Sequence, residues 1–253
     1  MLALLSDLHA NARALDACLA HARASGATQY AFLGDLVGYG AEPAAVLDTV
    51  MALAAEGAVV LRGNHDEATC AAPVARINDD IPTDEVSAQW TRGQITAQHR
   101  RFITQLPLSA QVGSSLVVHA SADAPMEWHY VDTLHRAELC LKAATERPGV
   151  QQVFVGHIHR QRFYYRSSRS GLMEFEPVPG VAFPIPAQRH WLATVGSVGQ
   201  PRDGDPRAMY ALYDEATRRL VFHRVEYDHL AAAAAIRASG QPVFFATRLE
   251  SGR

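Results

Sequence analysis

Five short runs in this sequence end in side chains that bind metals or move protons. SDLH places Asp7 and His9 two residues apart, and GDLVGYG places Asp35 directly after a glycine. RGNHDE supplies Asn64, His65 and Asp66, LVVHA ends at His119, and VFVGHIHR carries His157 and His159. Taken singly, each is weak, because an aspartate after a strand is commonly a cap or turn residue. Taken together, carboxylates and imidazoles suit divalent first-row metals of borderline N/O preference. Asp7, His9, Asp35, Asn64, His119, His157 and His159 exceed the about four ligands that one tetrahedral site wants. Two ions sharing a carboxylate fit the count better. Such pairs sit roughly 3.5–4 Å apart and clamp the attacking and leaving oxygens of an in-line displacement.

These residues need elements to bring them together. The first half alternates short apolar runs with helical patterns, the signature of βαβ units. Strands are expected at 2–5, 30–33 and 58–61, and helices at 12–24 and 43–55, with Pro43 suited to a first turn. A helical excursion covers about 67–105, with 84–105 its clearest part. Strands at 116–118, 153–155 and 191–195 follow, with a helix near 133–145. From Phe163 onward the pattern becomes strand after strand, at 163–166, 172–177, 208–213 and 219–225, which predicts a second, largely antiparallel sheet. Residues 228–239 read as a closing helix, and the tail after Pro242 as loosely ordered. No linker or repeat interrupts the chain, so residues 1–253 are read as one α/β domain.

Each ligand run directly follows one of these strands, and open α/β sheets bind ligands outside the carboxyl ends of their strands. In an extended segment, side chains at i and i+2 point the same way, so His157 and His159 are expected to face one spot. Gly34, Gly63 and Gly156 would let the backbone turn sharply as each strand leaves the sheet.

Composition narrows the chemistry further. The 253 residues are 48% hydrophobic and 19% charged with a formal charge of −3, which is ordinary for a folded soluble protein. That charge gives no net drive toward nucleic acid or an anionic membrane. No stretch approaches the roughly 18 apolar residues of a membrane span. The N-terminal apolar run lacks a basic region and meets Asp7 early, so it reads as a strand and not a signal peptide. Cys18, Cys70 and Cys140 have no CxxC spacing and read as reduced thiols in a cytoplasmic protein. Lys142 is the only lysine, which removes P-loop and SxxK mechanisms.

The ordered set DLH, GD, GNHD, H and GHIH, from Asp7 to His159, resembles the calcineurin-like metallophosphoesterase family. The later GSVGQPRDGDPRA resembles its compact bacterial branch of small phosphodiesterases and diadenosine tetraphosphate hydrolases. The resemblance implies a two-sheet αββα sandwich and two divalent ions, manganese first, with iron, nickel, cobalt or zinc as alternatives. It implies that Asp7, His9 and His159 hold one ion, that Asn64, His119 and His157 hold the other, and that Asp35 bridges them. A hydroxide bridging the ions would attack phosphorus, His65 would protonate the leaving group, and Asp66 would orient the His65 ring. Ala10 and Ala120 stand where relatives often have glycine.

The reaction implied is hydrolysis of small phosphate mono- or diesters, a class that includes nucleotides and dinucleoside polyphosphates. A serine/threonine protein phosphatase and a non-catalytic interaction scaffold are the alternatives, the second opposed by the intact His65 and ligand set. A nuclease is disfavoured by the net charge, and oligomeric state is open. Arg202 and Arg207 could fork onto phosphate oxygens or pair with Asp203 and Asp205 within their turn. Asn11 could bind phosphate or cap the helix that follows it, capping being the better reading. Trp128, Tyr130 and Tyr39 could stack a base, while Arg160, Arg162, Arg166 and Arg169 read as a solvated strand face. His129, His135, His190, His223 and His229 lack ligand-like spacing.

Overall fold

LALL at the start of the chain is buried along its whole length. A strand with no polar face must be covered on both sides, and the sheet around it shows how. In the computed structural model, which describes residues 1–72, 83–167, 171–185 and 189–253, six strands form this first sheet. Their spatial order is β3 (Val59–Val60), β2 (Gln29–Phe32), β1 (Leu2–Leu5), β11 (Ala208–Asp214), β12 (Arg219–Val225) and β9 (Phe183–Pro184). β1 pairs parallel with β2 and antiparallel with β11, with Leu2 opposite both Gln29 and Tyr213. The second sheet runs β4 (Ser109–Val112), β5 (Ser115–Val118), β6 (Gln152–Val155), β10 (Trp191–Val195), β7 (Gln161–Ser167) and β8 (Gly171–Phe175).

Strand alternation divides the core into layers. Leu2 and Leu4 of β1 point into the space between the sheets, where they meet Phe154, Phe163, Trp191, Ala211 and Phe222. Ala3 and Leu5 point outward, against Leu15, Cys18 and Leu19 of α1 (Ala12–Ala24) and Val46 and Val50 of α2 (Pro43–Ala55). On the far side, Leu116, Val153 and Leu192 pack under Ala137, Cys140 and Leu141 of α6 (Leu134–Thr145). The layers are therefore helix, sheet, sheet, helix, as the motif resemblance implied.

Two expectations need correction. The C-terminal strands do not make a sheet of their own: β11 and β12 extend the first sheet beside β1, while β5 and β6 belong to the second. The tail is not loose either, since residues 243–251 form α8 (Val243–Ser251). Phe245, Ala246 and Leu249 of α8 pack with Ala232, Ala233 and Ile236 of α7 (His229–Ala238) and with Tyr39. The expected excursion contains α3 (Asn64–Cys70), α4 (Thr83–Gln94) and α5 (Ala97–Gln105); its residues 73–82, like Arg169, lie outside the described residues.

Candidate dinuclear metal centre

Strands β1, β2, β3, β5, β6 and β10 all exit at one end of the sandwich, and backbone hydrogen bonds lock their exits together. The Asp7, His9 and Ala10 N–H groups donate to Gly34, Asp35 and Leu36 carbonyls, each at 3.0 Å. The Gly156 N–H donates to His119 O at 2.8 Å, and Gly199 N–H to Asp7 O at 2.9 Å. These exits are left-handed: φ is +54° at Asp7, +46° at His9, +51° at Asp35, +67° at His157 and +54° at His159. Non-glycine residues in that region cost of order 1–3 kcal/mol each, so the surrounding structure has to impose it. Ala10 shares it at +50°.

The glycines divide by cause. Gly34 is left-handed at φ +98°, as a sharp turn requires. Gly63 is extended, at φ −103° and ψ 178°. A Cβ there would lie 2.2 Å from Asp35 Oδ1, and one at Gly156 would lie 1.9 Å from Ser6 Oγ and 2.7 Å from Asp7 Oδ2. At Gly63 and Gly156, close approach to a carboxylate excludes any side chain.

Two groups of donors result, Asp7 with His9 and His159, and Asp35 with His119 and His157, all buried. His157 and His159 therefore do not face one spot. The segment is left-handed at both residues instead of extended, so their rings go to neighbouring groups. Asp35 Oδ2 lies 3.3 Å from His119 Nε2 and 3.8 Å from His9 Nε2, between the two groups. Asn64 Oδ1 lies 3.1 Å from His119 Nε2.

Each carboxylate spends one oxygen on the backbone. Asp7 Oδ2 accepts from His157 N–H at 2.9 Å, and Asp35 Oδ1 from His65 N–H at 2.8 Å. The other oxygens, Asp7 Oδ1 and Asp35 Oδ2, are buried without a hydrogen-bond partner among the described residues. The imidazoles are oriented in the same spirit. His9 Nδ1 meets Val37 O at 3.3 Å, His119 Nδ1 meets Leu33 O at 2.8 Å, and His159 Nδ1 meets Gln200 O at 2.5 Å. His157 uses Nε2 on Trp128 O at 3.0 Å. A carbonyl can only accept, so each of these nitrogens carries a hydrogen; on His9, His157 and His159, which burial keeps neutral, the other nitrogen is left as a lone pair, the usual arrangement around a ligating histidine. Orphaned carboxylate oxygens facing fixed imidazole lone pairs fit two divalent ions.

Charge supports that fit. Burial alone would raise both carboxyls, but His159 outweighs it at Asp7, and His119 and His65 at Asp35, holding both well below the usual carboxylate range. Burial pushes His9 and His159 down, and His157 to about 4. Burial also opposes a charge on His119, yet Asp35 wins and lifts it to about 9. The cluster thus retains a proton against desolvation, the same pull that a cation answers.

His65 belongs to neither group. Its ring packs edge-on against Tyr39 at 4.4 Å and His9 at 5.2 Å between centroids. Asp66 does not orient it: the Asp66 carboxylate accepts from the backbone N–H groups of Leu36, Val37 and Gly63 at 2.9, 3.2 and 2.9 Å. Adjacent residues on a helix do not face each other, and Asp66 fastens the β2 exit to α3 instead. Burial and nearby Asp35 push its carboxyl up to about 7, against those donors.

Asn11 caps α1, accepting from Ala14 N–H at 3.1 Å, and both its amide hydrogens go to Gly199 O and Tyr227 Oη. That leaves no N–H for a phosphate. Arg207 is bound by Asp205 through Nε and Nη2 and is not brought to the centre. Arg202 is: its backbone N–H donates to His159 O at 3.3 Å and its guanidinium lies 5.7 Å from the Tyr39 ring. Tyr39 is buried among His9, His65 and Phe245, with no face for a base. Trp128 serves His157 through its carbonyl and packs its ring on His119 at 5.8 Å. Only Tyr130 stays half exposed, stacked on His157 at 4.1 Å. The orienting carbonyls of Leu33, Val37, Trp128 and Gln200 escaped the sequence reading because a backbone oxygen has no residue-type signature.

The family model for calcineurin-like phosphoesterases matches residues 1–161, which include every residue of both groups. The chain belongs to the calcineurin-like phosphoesterase family. This phosphoesterase is 33% identical to a metallophosphoesterase from Sphaerobacter thermophilus, with a TM-score of 0.85 over 100% of this chain and 98% of that one. It is 29% identical to uncharacterized protein MJ0912 of Methanocaldococcus jannaschii, over 100% of this chain and 98% of the relative. The hypothetical protein PH1004 of Pyrococcus horikoshii shares the fold, with a TM-score of 0.75 at 20% identity over 100% and 99% of the two chains. The enzyme is a phosphoric ester hydrolase, and among its described residues no helix is long and apolar enough to cross a membrane.

Proposed function

We propose that residues 1–253 act as one catalytic domain hydrolysing small phosphate mono- or diesters, nucleotides and dinucleoside polyphosphates among them. Asp7, His9 and His159 would hold one divalent ion, and Asn64, His119 and His157 a second, with Asp35 Oδ2 shared. The observation that carries this reading is the pair of buried, unpartnered oxygens, Asp7 Oδ1 and Asp35 Oδ2, among imidazoles whose other nitrogens are committed to carbonyls. Bound there, two ions supply Lewis acidity to the phosphoryl oxygens and lower the pKa of water to roughly 7. Manganese is the proposed ion, and the same donors accept iron, nickel, cobalt or zinc.

His65 gives its proton to the leaving-group oxygen, held at the edge of the centre by the rings of Tyr39 and His9. Asp66 sets the loop on which Asp35 sits, and so acts through position. Arg202 contacts a phosphate group of the substrate, the scissile one or one beyond it. The thiols of Cys18, Cys70 and Cys140 are free, which suits a cytoplasmic location. The test strips the protein of metal, restores manganese, and follows p-nitrophenyl phosphate and bis-p-nitrophenyl phosphate in parallel. Turnover that returns only with metal supports the proposal; turnover indifferent to metal refutes it.

A further inference from the structure

Strand β7 begins two residues after His159, and the arginines there do not simply face solvent. Arg160 and Arg162 line a cavity of about 600 Å³ together with Arg202, Arg248, Glu176 and Asp203. A second cavity of about 250 Å³ shares Arg160, Arg162 and Arg202 and adds Tyr130, Asp132 and Ile158. Because they share three residues, the two form one cleft, of a size that suits a small ligand. It starts at the centre: Ile158 sits between two candidate ligands, Tyr130 stacks on His157, and Arg202 is bonded to His159 O.

Arginines outnumber carboxylates in this cleft: Arg160, Arg162, Arg202, Arg248 and Arg253 face Glu176, Asp203 and Asp132. Glu176 pairs with Arg162 at 3.2 Å, and Asp203 is taken by Arg224. Arg160 and Arg202 have no carboxylate partner among the described residues. Neutral acceptors hold them instead: Arg160 Nε donates to Arg202 O at 3.1 Å, and Arg202 Nε and Nη2 donate to Gln200 Oε1 at 3.3 and 2.9 Å. Arg248 lines the same cavity, its Nε donating to Arg253 O at 2.7 Å. Two guanidinium groups fixed by neutral partners keep their remaining N–H donors and full charge for an incoming anion. Planar forks of this kind match phosphate oxygens.

We infer that this cleft is a subsite for a second phosphate group of the substrate, so that preferred esters carry a phosphate or polyphosphate beyond the scissile phosphorus. The inference rests on the dinuclear reading for which phosphorus is scissile. The cleft itself is tested without metal, so the two can fail separately.

The experiment titrates metal-free full-length protein calorimetrically with inorganic tripolyphosphate and with inorganic phosphate. It compares wild type, Arg160→Ala, Arg160→Lys and Arg202→Ala, with thermal melts confirming that each variant is folded. Tripolyphosphate should bind at least roughly tenfold more tightly than phosphate. Each alanine should weaken it roughly tenfold, about one charge-assisted hydrogen bond, and Arg160→Lys should fall between. In manganese-loaded protein with free manganese held constant, tripolyphosphate should raise KM for p-nitrophenyl phosphate and leave kcat alone. Equal binding of the two anions, or no effect of either alanine, overturns the subsite. Inhibition that lowers only kcat overturns it too, because the anion would then be an effector and not part of the substrate. Failure of loaded wild type to turn over p-nitrophenyl phosphate would count against the dinuclear reading and leave the calorimetry to decide the cleft.

Discussion

The Nε2 atoms of His9 and His159 lie 3.2 Å apart, with their ring planes 30° from parallel and both side chains buried. Both Nδ1 atoms are engaged by carbonyls, Val37 O and Gln200 O. Two lone pairs therefore face each other beside Asp7 Oδ1, an arrangement that repels unless a cation lies within reach. Metal removal should accordingly destabilise the fold. Calorimetric melting with free manganese at 100 times its Kd should show about 2.7 kcal/mol of stabilisation per bound ion over the chelated protein. No shift in melting temperature on adding manganese would count against the arrangement.

Neighbouring residues of α3 should respond in opposite ways. His65→Ala should keep its metal and melting temperature while losing about 10²–10⁴-fold in rate, most severely on esters with poor leaving groups. Asp66→Ala should instead cost roughly 3 kcal/mol or more in urea unfolding, since three buried backbone N–H groups lose their acceptor. An Asp66→Ala protein as stable as wild type but inactive would return Asp66 to the role of ring orienter.

The exclusion at Gly156 is steric, and so is its test. A methyl group there would meet Ser6 Oγ and Cβ, and Asp7 Oδ2, which the His157 N–H holds in place. Gly156→Ala should lower manganese affinity by more than roughly tenfold, the lower bound for disturbing a ligand's supporting contacts. Gly180, left-handed but with open space around its missing Cβ, provides the control. Gly180→Ala should leave manganese affinity unchanged.

Away from the centre, His223 gives the fold an acid sensitivity. Its ring stacks on Tyr210 at 4.8 Å, its Nε2 is buried without a partner among the described residues, and His21 lies 4.9 Å away. Burial first, and His21 second, push its pKa down to about 4. The unfolded chain, with a histidine pKa near 6.5, thus binds more protons between about pH 6.5 and pH 4. Stability present above that window is lost as pH falls through it. In metal-free protein, the drop in urea midpoint from pH 7 to pH 5 should be smaller in His223→Gln than in wild type. Equal drops would remove His223 from the account.

Much of this was legible in the sequence, for reasons that particular elements show. The bounds of α1 and α2 followed from apolar spacing closed by Gly26 and opened by Pro43, signals that are local. Sheet membership was not local. Nothing in MYALYD says that it pairs with β1, more than 200 residues earlier, because that choice is made by packing across the sandwich. α8 was missed because its apolar face, Phe245 and Leu249, matters only against Tyr39 and α7. At the site, ligand types were legible because metal binding constrains residue identity. The left-handed exits, the orienting carbonyls and the backbone role of Asp66 were not, since each is a property of the folded main chain.

Native mass spectrometry of the manganese-loaded chain tests the central claim most directly. The account predicts two ions in wild type. It predicts one in His9→Ala/His159→Ala, which empties the first group, and one in His119→Ala/His157→Ala, which empties the second. A single ion in wild type, or loss of both ions from either double variant alone, would contradict two groups joined through Asp35.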